Sequence, residues 1–130
     1  MYACYATEWS IFRFKKLDVW ICAVELSDRV YDITRGFPDD EKFGFANQLR
    51  RASASISSNI VEGSGRNSGR EFVCFVLIAY GSLMEFVSQC KIAERRKYIS
   101  LDTYDAIYCD CERVAKILSG LRTSLAKNYK

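Results

Sequence analysis

"NQLRRASASISSNIVEGSGR", residues 47–66, decides the fold. Its five serines, two alanines, two glycines and three arginines admit three readings. It could be a flexible basic linker, a phosphate-binding loop, or a helix of small residues that lets a neighbour come close. Leu49, Ala52, Ile56 and Ile60 are spaced 3, 4 and 4 apart, which keeps them on one helix face. A flexible linker has no reason to hold that phase. A phosphate loop needs a preceding strand and a Gly-Lys-Ser/Thr ending, and neither is present. The block therefore reads as a helix, with Asn47, Arg51, Ser55, Ser58 and Glu62 along its polar stripe. Serine is a weak helix former, so tertiary contacts must hold the segment.

Working outward, three more seams appear. Val19, Ala23, Leu26, Val30, Ile33 and Phe37 form a heptad row that stops at Gly36 and Pro38. "PDDEK" then supplies the next start, with Asp39 or Asp40 as N-cap and Glu41 in the first turn. The serine-rich helix adds Phe45 at its front and ends at "EGSG", where Gly63 is expected to take the left-handed cap conformation. Ser68 and Glu71 form a capping-box pattern ahead of Phe72, Val76, Ala79, Leu83, Phe86, Cys90 and Ala93. After "KYIS" comes a last row of Tyr104, Ile107, Cys111, Val114, Leu118, Leu121 and Leu125. The expected fold is all-α: an antiparallel up-and-down four-helix bundle with helices at about 17–36, 40–63, 69–97 and 101–127. Residues 1–16 are an N-terminal extension and 17–130 the bundle domain.

Composition agrees with one soluble globular domain: 130 residues, 49% hydrophobic and 27% charged. The N-terminus lacks an uninterrupted apolar stretch and carries Glu8, so it does not read as a signal peptide. No apolar run approaches the roughly 18 residues of a membrane span, so no membrane partner is expected. Six cysteines fall within helical stretches, and we read them as reduced thiols in a cytoplasmic protein. Net charge is only +3, but it is polarised. Acids dominate from Asp18 to Glu41, arginines from Asn47 to Arg70, and after Glu112 only cations occur.

Five segments carry a resemblance: "FKKLDVW" from Phe14, "FPDDEKFG" from Phe37, "QLRRA" from Gln48, "SISSNIVEGSGR" from Ser55 and "EFVCF" from Glu71. Together they resemble the 23S rRNA intervening-sequence proteins, bacterial four-helix bundle proteins first noticed as open reading frames within intervening sequences of 23S ribosomal RNA. The resemblance implies a cytosolic protein that assembles into a ring-shaped homopentamer. It also implies RNA or DNA binding as the usual proposal for its role.

Helices one and three carry more apolar surface than one bundle core needs. Trp20, Val24 and Tyr31 on helix one, with Val73, Leu77, Tyr80, Met84 and Val87 on helix three, form a second row that either widens the core or meets another subunit; we favour the subunit interface, assigned to Trp20, Val24, Tyr31 and Tyr80. Arg50, Arg51, Arg66 and Arg70 on or just after helix two are candidate contacts to phosphate oxygens of RNA or DNA. Arg95, Arg96 and Lys97 beside Tyr98 are a second cationic cluster that could contact a single strand. The alternative for the helix-two arginines is pairing with Glu62, Glu71 or the acidic first helix of a neighbouring subunit, and for Arg95, Arg96 and Lys97 it is a solvated helix end. Asn59, Glu62, Ser68 and Glu71 are assigned structural polar roles.

The competing function is a structural adaptor that binds a partner protein, such as an accessory subunit of a nucleic-acid enzyme. An enzyme is not expected. Histidine is absent, which removes the commonest general base and metal ligand. Cys109 and Cys111 lie about 200° apart on a helix and cannot chelate one ion. Glu62 and Glu85 each fall in small or apolar surroundings and either could be a buried carboxylate, although a hydrogen bond to Asn59 or an arginine ion pair is the expected role. No catalytic residue, cofactor or metal is assigned.

Overall fold

The computed structural model describes residues 12–128. Of the N-terminal extension, residues 1–11 lie outside that range. Residues Arg13–Lys16 make a short 3-10 turn, followed by α1 (Asp18–Thr34), a second 3-10 turn (Asp39–Glu41), α2 (Phe45–Ser64), α3 (Gly69–Arg95) and α4 (Leu101–Asn128). Among the described residues there are four α-helices and no strand. Each helix packs against its neighbours in the order α1, α2, α3, α4, and α4 closes back on α1, with α2–α3 the most extensive contact. Arg29 of α1 forms an ion pair with Asp110 of α4. The seams interlock in one core in which Phe86, Ile56, Ile60, Leu83 and Leu118 are the largest fully buried side chains.

Helix one departs from the expected seam in its last turn. Thr34, not Ile33, takes the core position and is 1% exposed. An α-helix drifts against a strict heptad, so the buried row steps by four at that point. The threonine hydroxyl donates to the Val30 carbonyl at 2.8 Å, and its oxygen accepts from Arg50 Nε at 2.9 Å. A buried polar group is tolerated when it is paired in this way.

Helix two also starts later than its acids suggest. Glu41 N–H bonds to the Pro38 carbonyl (2.9 Å), Lys42 N–H to Asp39 (3.4 Å) and Gly44 N–H to Glu41 (3.2 Å). These are turns of the tighter 3-10 kind, so "PDDE" caps a turn and not α2. The cause is the bundle end. Phe37, Phe45 and Tyr98 close it as an aromatic trio with ring centroids 5.3–6.3 Å apart. α2 can begin only once Phe45 has been carried across to that trio, and Gly44 makes the bend at φ −104°, ψ −98°.

Gly63 is not a left-handed cap. It is helical and buried, and α2 runs on through Ser64. No described glycine has positive φ. An ideal Cβ on Gly63 would sit 2.7 Å from Phe75 Cβ and 2.8 Å from Phe72 Cδ1 of α3. Glycine is required here because two helices touch.

The left-handed position belongs to Lys97, at φ 63°. Tyr98 N–H reaches back to the Ala93 carbonyl and Lys97 N–H to Glu94, both at 2.9 Å, which is a complete Schellman closure of α3. A side chain in this conformation costs about 1 kcal/mol relative to glycine. Lys97→Gly is therefore expected to raise stability by about 1 kcal/mol, read as a higher urea midpoint at unchanged slope.

Candidate nucleic-acid interface

The antiparallel packing sorts the predicted cations onto two opposite ends. α2 alone, at 20 residues, is about 30 Å long. That is several Debye lengths at physiological salt, so charges at its two ends do not act on one phosphate. Arg66 and Arg70 lie at the end where α2 turns into α3. Arg50, Arg51, Arg95, Arg96 and Lys97 lie at the other.

At the α2–α3 turn, three parts of the chain meet. A cleft of about 280 Å³ is lined by Phe14 and Leu17 before α1, by Ser64, Arg66, Asn67, Ser68, Gly69 and Phe72, and by Leu125 of α4. The sequence builds it locally. Gly65 and Asn67 interrupt the helix, and Ser68 restarts it by accepting from Glu71 N–H at 3.2 Å. Arg66 Nη2 donates to Glu62 Oε1 at 3.0 Å, and the guanidinium lies 4.6 Å from the centroid of the Phe75 ring. Lys16, Arg70, Arg122 and Lys127 are exposed around this end, against Asp18, Glu62 and Glu71.

The opposite end is more evenly balanced. Arg50 is half-buried between the Thr34 hydroxyl and the Tyr31 ring, whose centroid lies 4.8 Å from the guanidinium carbon. It ties α1 to α2. Arg51, Arg95, Arg96 and Lys97 are exposed. They share that end with Asp32, Asp39, Asp40, Glu41 and Asp102.

The other assigned residues are distributed as follows. Asn59 Nδ2 donates to the Ser55 carbonyl at 2.7 Å, and Ser55 Oγ bridges to Ser82 Oγ of α3 at 2.8 Å. The narrow serine face of α2 therefore meets a serine on the facing helix. Glu62 and Glu85 are both exposed, and Glu85 accepts from Gln89 at 3.2 Å. Neither is buried. Of the second apolar row, Trp20 and Tyr80 are half-buried against the core, while Val24 and Tyr31 are exposed.

The outer face of α3 extends beyond the second row expected from Leu77 and Met84, and sequence reasoning missed Ile78 and Ile92 on it. Leu77, Ile78, Met84 and Ile92 are exposed there, with Cys74, Gly81 and Ser88 between them. Cys74, Ile78, Gly81, Glu85, Ser88 and Ile92 repeat every 4 and 3 residues, so a second heptad on the same helix carried the signal. α3 is also long and apolar enough by composition to cross a membrane, although its other face is part of the bundle core. Among the described residues, no group of three or more metal-ligating side chains comes together.

No curated protein matches the chain. The chain is similar to a solved protein of unknown function from the S23 ribosomal protein family of Bacteroides thetaiotaomicron. The two are 24% identical with a TM-score of 0.74, covering 80% of this chain and 97% of that one. That likeness speaks for the fold alone. The family model described as 23S rRNA-intervening sequence protein matches residues 15–120, which takes in all of α1, α2 and α3 and most of α4. The chain belongs to the 23S rRNA-intervening sequence protein family.

Proposed function

We propose that the protein is a non-enzymatic, self-assembling bundle that binds RNA or DNA through the end formed by the α2–α3 turn. One observation carries the reading: Arg66 lines the cleft at the α2–α3 turn, and Lys16, Arg70, Arg122 and Lys127, far apart in sequence, are exposed at the same end of the bundle. Exposed cations grouped in this way supply the sequence-independent phosphate contacts that dominate nucleic-acid affinity. The pairing of Arg66 with Glu62 is an exposed i, i+4 bridge, worth under about 1 kcal/mol, and phosphate can displace it.

Assembly multiplies a modest patch. The uncovered α3 face is the natural contact between copies, because contiguous exposed apolar surface of this kind is uncommon on monomers. A closed ring, five-membered as the resemblance implies, repeats the cationic end with its symmetry and binds multivalently. Five described cysteines are free thiols, as suits a cytoplasmic setting.

The test is one paired measurement on wild type and Arg66→Glu/Arg70→Glu. Light scattering should give the same particle larger than a monomer for both chains. Nucleic-acid affinity at about 0.1 M salt should fall at least tenfold in the variant, with the log–log salt slope reduced by about two. The uncovered α3 face also favours a second reading, an adaptor that holds a partner protein. Wild type that is monomeric and does not retain nucleic acid would replace the first reading with the second.

A further inference from the structure

We infer that the cleft at the α1–α2 turn is a stacking pocket for one unpaired base of a single-stranded nucleic acid. It takes its ligand class from the nucleic-acid reading above but lies at the opposite end of the bundle and uses different residues.

Three phenylalanines fall within nine residues there, and they do different things. Phe37 and Phe45 turn inward and join Tyr98 in closing the bundle. Phe43 turns outward and is 90% exposed. Beside it is a cleft of about 490 Å³, lined by Thr34, Arg35, Lys42, Phe43, Asn47 and Arg50. That volume falls in the range of small-ligand sites, roughly 300–1,000 Å³.

The chemistry of the walls selects the ligand. Arg50 is already held by the Thr34 hydroxyl and the Tyr31 ring, so its planar guanidinium presents a stacking surface without first having to be ordered. Phe43 supplies a second π-surface. Asn47 carries a donor and an acceptor on one amide, which suits the edge of a base. At the rim, Lys42 pairs with Asp39 at 3.1 Å and Arg35 with Asp32 at 3.4 Å. With Asp40 and Glu41 adjacent, the rim has little net charge. A duplex, which presents mainly phosphate, has little to gain here, and its bases are already stacked. An unpaired base brings the π-face that the pocket accepts.

The experiment compares a single strand of about ten nucleotides, within the usual site sizes, with a duplex of the same sequence. Binding is read by fluorescence anisotropy. Phe43→Ala should weaken the single strand roughly tenfold to a hundredfold, as loss of one stacked base does, and leave the duplex unchanged. Phe43→Trp should bind at least as well as wild type, and Phe43→Leu should behave like alanine. The salt slope should not move, because no phosphate contact is removed. The melting temperature should also stay, since the side chain is exposed. Equal single-strand affinity for wild type and Phe43→Ala overturns the inference, and so does full affinity in Phe43→Leu. Loss in Arg66→Glu/Arg70→Glu with Phe43→Ala intact rejects this pocket and keeps the reading above; the reverse pattern keeps the pocket and rejects that reading.

Discussion

Gly63→Val is expected to lower folding stability by roughly 3 kcal/mol, through forced separation of α2 and α3. The first added carbon would lie 2.7 Å from Phe75 Cβ and 2.8 Å from Phe72 Cδ1. The Phe72 ring can swing aside. Phe75 Cβ cannot, because it is bonded to the backbone, so the helices themselves must part along the most extensive contact in the bundle. Gly63→Ala meets the same clash but recovers about 1 kcal/mol of helix propensity, so its loss should be smaller. Gly120 is the control. Nothing lies within 4 Å of its ideal Cβ, and Gly120→Ala should stabilise by about 0.5–1 kcal/mol. Urea midpoints of the variants check this; a valine variant as stable as wild type would mean that the helices do not approach as described. The consequence reaches function too, since the turn carrying Arg66 begins two residues later.

Alkaline pH should be the other large destabiliser. Cys90 on α3 and Cys111 on α4 are both 3% exposed. Burial pushes both thiols up from about 9, that of Cys111 to about 12. A nearby cysteine raises Cys90 further, and Asp110 raises Cys111 further. The folded chain thus keeps protons that the unfolded chain releases. Their contribution is complete below about pH 9 and is lost as pH climbs toward the folded values. With two such thiols the loss is on the order of 3 kcal/mol per pH unit, or about 5 kcal/mol between pH 9 and 11. Lysines and tyrosines titrate in the same window, so the comparison that matters is with Cys90→Ala/Cys111→Ala. That variant starts less stable because of its cavities, but its midpoint should fall less steeply with pH. Parallel curves would show that the thiols are not buried in the folded state.

Most of the core was readable in advance because burial recurs with the helix period. Val19, Ala23, Leu26 and Val30, then Leu49, Ala52, Ile56 and Ile60, then Val76 through Ala93, are spaced as core rows and are buried as core rows. The readings that failed depended on one residue each. Thr34 displaced Ile33 because its hydroxyl has partners that lie on α1 and α2 together. Gly63 looked like a cap because a glycine near a helix end usually is one; the phenylalanines it accommodates lie nine and twelve residues downstream. Phe43 was given no role in advance, because it falls outside the core spacing of both flanking helices.

Sequence periodicity by itself determined that the chain makes four helices and which face of each is buried. Those properties repeat along a single helix, where neighbours in space are three or four residues apart. Only the tertiary structure decided which cations share an end. Antiparallel packing carries Arg66, just past the end of α2, to the tail of α4 and leaves Arg50, in the first turns of α2, facing Thr34 at the far side. That sorting depends on how the four helices alternate in direction and on distances of tens of ångströms, and no local spacing encodes it.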